Sequence, residues 1–212
     1  MKGCTSDAQG MRHRAEMMLT EAVPMDPVAM LRQCGALLEG GSFRLSSGKV
    51  SSYYFDSKPF TLNPEGSHLV GTYFFERLIS SDAQAVGGMA LGAIPIVQAV
   101  TLISHLKNHP IPGFYVRDEA KTHGTQKLIE GNLPEDDSIP VAIIDDVVTE
   151  GGSILKAITA VEAHGNPISD VMCVLDRDEG GRENLRSRGY ELQAMFTVSS
   201  DEHGVVDIRF NP

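Results

Sequence analysis

Two adjacent carboxylates, Asp145 and Asp146, follow an apolar run, and a short stretch of hydroxyls and glycines, Thr149-Glu150-Gly151-Gly152-Ser153, comes directly after them. Paired carboxylates can hold sugar hydroxyls or a hydrated metal ion, and they favour a developing positive charge. Glycines allow close backbone approach, and a serine opening a helix is placed to cap it. Unpaired amides at a helix start, with the positive end of the helix dipole, form a phosphate site. Acids beside a phosphate cradle make sense when the ligand carries hydroxyls or a metal as well, and a sugar phosphate satisfies both halves. No Gly-x-x-x-x-Gly-Lys-Ser/Thr and no Gly-x-Gly-x-x-Gly occurs, which excludes a Walker loop and a dinucleotide fingerprint. Taken alone, the stretch is also compatible with an ordinary strand-to-helix turn that has an acidic strand end.

The elements that must position these groups follow from the apolar pattern. Val141-Ala142-Ile143-Ile144 is a continuous apolar run, suited to a parallel strand covered on both faces. Such strands deliver side chains to the crevice at their carboxyl ends. Residues 154–161 then have the periodicity of a helix. Upstream, Asp26-Pro27 opens a helix whose stripe would be Val28, Leu31, Cys34, Leu37 and Leu38, with Gly40-Gly41 ending it. Residues 43–56 alternate around a Ser-Gly and predict a hairpin. Residues 64–79 carry Leu69, Val70, Tyr73, Phe74 and Leu78 at helical spacing, and residues 85–96 read as a strand, a glycine loop and a helix start.

Phe114-Tyr115-Val116 is a short strand that leads into residues 117–131, where Arg117, Lys121 and His123 stand among Gly and Thr. Such a loop can fold over an anionic group, although a charge run standing alone is more often solvated surface. A second buried strand over residues 171–176 ends in Arg177-Asp178-Glu179, with a helix through about Arg188, and residues 190–198 form a last strand. The α/β alternation predicts a mainly parallel twisted sheet flanked by helices, with a small N-terminal hood.

At 212 residues and 42% hydrophobic content, one domain over residues 25–212 is the natural organisation, preceded by a poorly ordered or helical extension over residues 1–24. A net charge of -10 argues against a nucleic-acid partner and leaves polyanionic ligands to local basic clusters or Mg²⁺. Cys4, Cys34 and Cys173 are widely separated and lack metal-ligand spacing, so they read as reduced thiols of a cytoplasmic protein. No apolar run approaches the length of a membrane span, which implies no membrane partner.

The stretch from Val141 to Ser153 resembles the phosphoribosyl-pyrophosphate signature of type I phosphoribosyltransferases: an apolar strand, two acids, two apolar residues, then Thr-x-Gly-Gly-Ser. Within that superfamily the chain is most similar to the orotate phosphoribosyltransferases, from about Leu37 to Tyr190. The matching segments are Phe43-x-Leu45-x-Ser47-Gly48-Lys49-x-Ser51-x-Tyr53-Tyr54, the glycine loop, Arg117-x-Glu119-x-Lys121-x-His123-Gly124 and Asp176-Arg177.

The resemblance implies transfer of the 5-phosphoribosyl group from 5-phosphoribosyl 1-pyrophosphate (PRPP) to orotate, giving orotidine 5′-monophosphate and pyrophosphate with Mg²⁺ as cofactor. By that likeness Asp145, Asp146, Val147, Val148, Thr149, Glu150, Gly151, Gly152 and Ser153 hold the donor. Arg117, Lys121 and His123 neutralise its pyrophosphate, and Thr149 and Arg177 orient orotate. Lys121, His123, Asp145 and Asp146 would carry the catalytic roles. Mg²⁺ would come in on the donor's pyrophosphate and ribose hydroxyls, with no metal ligand assigned directly to the chain. A homodimer is implied, because the basic loop of relatives reaches a neighbouring subunit's site.

Four positions depart from the family pattern. Ser46 stands where some members have a base-contacting lysine, for which Lys49 is a substitute, and Gly92 stands where some have lysine. Ile94 replaces a frequent Asp, and Asp118 replaces a lysine offered to the partner site. An anion brought close to pyrophosphate costs on the order of 1 kcal/mol or more. Two other functions fit these residues: a phosphoribosyltransferase for another base, and a regulatory protein that binds the donor without turnover.

Overall fold

In the computed structural model, residues 26–44, 50–119, 127–200 and 206–212 are described. Ser46, Lys49, Lys121, His123 and residues 1–25, which include the extension over residues 1–24, lie outside them. Helix α1 (Pro27–Gln33) opens with Asp26, whose side chain accepts from the Val28 amide at 3.1 Å. It ends at Cys34, and Gly35, at φ +74°, turns the chain away. The stripe expected to continue through Leu37 and Leu38 therefore stops early. Both leucines belong to strand β1 (Leu37–Arg44), where Leu37 is buried and Leu38 exposed. Gly40-Gly41 sits inside β1 instead of ending the helix, and the pairing register with β2 (Val50–Phe55) shifts between Glu39 and Phe43. A left-handed Gly40, at φ +75°, accommodates that irregularity. The hood hairpin is thus longer than residues 43–56 suggested.

Short helix α2 (Lys58–Thr61) and the long α3 (Pro64–Leu78) follow, the latter capped by Asn63 Oδ1, which accepts from the Glu65 and Gly66 amides. Then come β3 (Val86–Gly87), α4 (Ala93–Leu106), β4 (Phe114–Val116), β5 (Ile129–Gly131) and β6 (Val141–Val148). The chain closes with α5 (Gly152–His164), β7 (Ile168–Asp176), α6 (Gly181–Arg186), β8 (Leu192–Ser200) and β9 (Val206–Phe210). The main sheet runs β3-β6-β7-β8-β9, parallel up to β8 and antiparallel at β9. Strand β4 pairs with β5 and is joined to β3 by parallel bridges Val86↔Gly113 and Met89↔Val116. The expected parallel α/β sheet is present; β5 and β9 are additions that their short, partly exposed sequences do not announce.

Helices cover the sheet on both faces, and period-two alternation sorts its side chains between two cores. Ala142 and Ile144 pack with α3, α4 and the hood, while Val141 and Ile143 pack with α5. Strand β6 does not stop at Ile144, because it stays paired with β7 as far as Val148↔Asp176. The two carboxylates are therefore strand residues, and they too fall on opposite faces.

Candidate active site

Register places the sequence's candidate groups along one edge of the sheet. Gly87 pairs with Ile143, Met89 bridges Val116, and Val148 pairs with Asp176. The parallel strands thus end together in Arg117, the glycine loop before α4, Asp145 through Thr149, and Arg177. The Arg177 amide donates to the Val148 carbonyl at 2.9 Å, which sets Arg177 beside the start of the Thr149 loop.

Asp145 faces α5. Its Oδ1 accepts from the Asp146 amide at 2.9 Å, and its Oδ2 accepts from the Ser153 hydroxyl at 2.5 Å. It is buried, at 3% exposure. Burial pushes its pKa up to about 7, and the Asp146 charge adds to that, while the Ser153 and Asp146 hydrogen bonds oppose it. Asp146 faces the hood and is half-buried. Its Oδ1 accepts from the Val147 amide at 2.9 Å and its Oδ2 from the Ser57 hydroxyl at 2.5 Å. A Cβ at Gly92 would fall on this carboxylate, so glycine at that position, in place of a lysine, is what leaves Asp146 room.

The loop after β6 is built for close approach. Gly151, at φ +84°, is the N-cap of α5 and supplies no side-chain cap. Ser153 was expected to cap; it lies within the helix and its hydroxyl is committed to Asp145. The first amides of α5 are accordingly left for a ligand, and open space lies over Gly152, where an added Cβ meets nothing within 4 Å. Behind the loop, Gly181 packs so closely on the Thr149 carbonyl that a Cβ there would sit 2.5 Å from it. Asn184 fixes the loop by donating to the Glu150 carbonyl at 2.9 Å. The Val148 side chain lies in the core on the α5 face and Val147 is partly buried against the core on the hood face, so both can serve a ligand only through the backbone.

Arg177 is nearly enclosed. Its Nε donates to the Tyr53 hydroxyl at 3.0 Å and lies 3.0 Å from Glu179 Oε1, and its guanidinium stands over the Tyr53 ring at 4.7 Å. Burial raises the Tyr53 pKa and the Arg177 charge opposes this. Asp176, beside it, is structural: it accepts from Arg182 Nη2 at 2.7 Å and from the Asp178 amide at 3.0 Å, shaping the strand exit.

Arg117 leaves β4 half-buried, its amide bonded to the Leu128 carbonyl at 2.9 Å. Asp118 turns to α5, where its Oδ1 lies 3.3 Å from Lys156 Nζ in an exposed pair that offsets its charge. Ile94 is half-buried in the first turn of α4. Sequence reasoning missed Ser57, Glu179 and Asn184. Ser57 is 89 positions from its partner, and no spacing rule joins the two. The alternation of β2, in contrast, does announce Tyr53 as inward-facing.

No family model matches the chain. An orotate phosphoribosyltransferase of Nostoc sp. is 44% identical over 166 residues, covering 78% of this chain and 79% of the relative. The chain belongs to the orotate phosphoribosyltransferase family. The orotate phosphoribosyltransferase of Aquifex aeolicus is 43% identical over 157 residues, covering 74% of this chain and 85% of its own length. The crystal structure of the Mycobacterium tuberculosis orotate phosphoribosyltransferase in complex with Fe(III) dicitrate matches with a TM-score of 0.68 at 33% identity, covering 80% of this chain and 95% of that one. The same enzyme solved in complex with PRPP matches at 0.59 and 32% identity, covering 66% and 78% of the two chains. The type I phosphoribosyltransferase fold expected from the sequence is the fold observed.

Proposed function

We propose that the chain transfers the 5-phosphoribosyl group from PRPP to orotate, releasing pyrophosphate and forming orotidine 5′-monophosphate for pyrimidine nucleotide synthesis. The observation that carries this is the shared sheet edge, where two carboxylates, an uncapped helix start and a buried arginine converge.

Thr149 through Ser153 take the donor's 5′-phosphate on the amides of the loop and of α5. Asp146 holds the ribose hydroxyls from the crevice, Asp145 lies sealed behind it, and the negative field of the pair favours the oxocarbenium character that grows at the ribose carbon as pyrophosphate leaves. Arg117, Lys121 and His123 neutralise the leaving group. Arg177 pairs with the planar carboxylate of orotate, a geometry that suits a guanidinium, and Thr149 orients the ring so that its nitrogen faces the sugar. Catalysis is then mostly positioning and charge stabilisation, with no nucleophile supplied by the enzyme.

Mg²⁺ belongs to this reading as a partner of the donor. Among the described residues there is no cluster of three metal-ligating side chains. A carboxylate pair beside a phosphate site fits an ion that keeps its waters and is held mainly by substrate oxygens. When bound, the ion offsets charge on the departing pyrophosphate. A cytoplasmic homodimer completes the proposal: Cys34 and Cys173 are free thiols, and the basic loop of the family serves a neighbouring site.

The test is turnover with PRPP and Mg²⁺, offering orotate, adenine, guanine and uracil in parallel. Orotidine 5′-monophosphate forms with orotate and the other bases remain unchanged. Donor binding with no base consumed would make the protein a sensor of PRPP; turnover of a different base would reassign the acceptor.

A further inference from the structure

Ser57 is buried, at 2% exposure, in the position before α2 where a serine hydroxyl ordinarily caps the helix. It makes no such bond. Its backbone carbonyl accepts from the Phe60 and Thr61 amides at 3.0 and 2.8 Å, while the hydroxyl crosses to Asp146 Oδ2 at 2.5 Å. The helix gains nothing from this side chain, and the bond joins the hood to the middle of the donor site. A charge-assisted hydrogen bond of that length fixes the direction of a carboxylate. Asp146 is the carboxylate that needs fixing, because it is half-exposed and, among the described residues, its other oxygen accepts from the Val147 amide alone. Gly92, against which the carboxylate lies, has no side chain to hold it.

We propose that Ser57 is a positioning residue for PRPP: acting through Asp146, it holds that carboxylate in the orientation that receives the ribose hydroxyls. The proposal rests on the reading of Asp146 as a donor-binding group. The hood then does more than cover orotate. Tyr53, four residues before Ser57, holds Arg177 on the acceptor side, and Ser57 holds Asp146 on the donor side, so one short segment sets both halves of the site.

The experiment compares Ser57→Ala, Asp146→Asn and the double variant, each by steady-state kinetics and by calorimetric titration of Mg²⁺-PRPP in the absence of acceptor. Ser57→Ala raises KM and Kd for PRPP about tenfold, the loss expected for one hydrogen bond to a charged group, and leaves the KM of orotate and the melting temperature unchanged. In the Asp146→Asn background the same substitution adds nothing, because its effect passes through that carboxylate. Equal PRPP affinity in Ser57→Ala and wild type overturns the proposal. So does an equal loss for both substrates with a lowered melting temperature, or full additivity in the double variant. If wild type binds PRPP without consuming orotate, the catalytic reading fails, and the calorimetric comparison still decides the role of Ser57.

Discussion

On the α5 face of β6, Asp145 accepts from the next residue's amide and from the hydroxyl of Ser153; on the hood face, Asp146 accepts from the next residue's amide and from the hydroxyl of Ser57. The hydrogen bonds match atom for atom, but the burial does not. Asp145 is sealed under the loop that follows β6, and desolvation outweighs its hydrogen bonds and lifts its pKa to about 7. Asp146 stands in the open crevice, beside Gly92 and within the field of Lys58. The contrast shows that bonding pattern alone does not define a carboxylate's work. Adjacent residues of one strand can be a costly buried acid and a ligand-facing charge, because alternation sends them to different faces.

Replacing each acid with its amide breaks the comparison most sharply. Asp146→Asn lowers kcat/KM for PRPP roughly 10²- to 10³-fold, or about 3–4 kcal/mol, as expected when a group facing developing charge is neutralised. Its melting temperature barely moves, and the two effects are read by steady-state kinetics and a thermal melt.

Asp145→Asn has a different signature. A carboxyl with a higher pKa in the folded than in the unfolded state adds stability while protonated. That contribution is complete below the ordinary carboxylate range and is lost as pH rises through about 7. The ligand-free amide variant is therefore more stable than wild type at pH 8, by about 4 kcal/mol at ~1.36 kcal/mol per pKa unit, and the difference closes toward pH 4. Melts across that range check it; a constant offset would show that Asp145 titrates normally.

Gly92→Ala gives the smallest effect and sharpens the comparison from the other side. Its Cβ displaces the Asp146 carboxylate and leaves Asp145 untouched. PRPP affinity falls about tenfold, ~1.4 kcal/mol, while the pH dependence of stability stays that of wild type.

The proposed donor half of this site can be read in the chain because it is local. A strand, two acids, a glycine loop and a helix lie within Val141–His164, and local rules of periodicity and helix starts apply to each piece. The strand boundary was misjudged because pairing with β7 holds Asp145 through Val148 extended, which composition does not reveal. Ser153 looks like a cap by position, but the neighbouring buried carboxylate competes for its hydroxyl and wins. The proposed acceptor half is assembled from distant pieces. Arg177 could be anticipated from Asp176-Arg177 at a strand end, whereas its support by Tyr53 crosses 124 positions and depends on how the hood folds over the sheet. The helix-to-strand switch at Gly35 was hidden because Leu37 and Leu38 suit either periodicity. The substitution at Asp118 looked adverse, and only the structure places its carboxylate against Lys156.

The central claim is that donor and acceptor are held by separate groups meeting at one sheet edge. Its most direct test is equilibrium binding of Mg²⁺-PRPP and of orotate to Arg177→Ala. PRPP binds as it does to wild type and orotate binding is lost; retention of orotate, or loss of both ligands together, would contradict the division of the site.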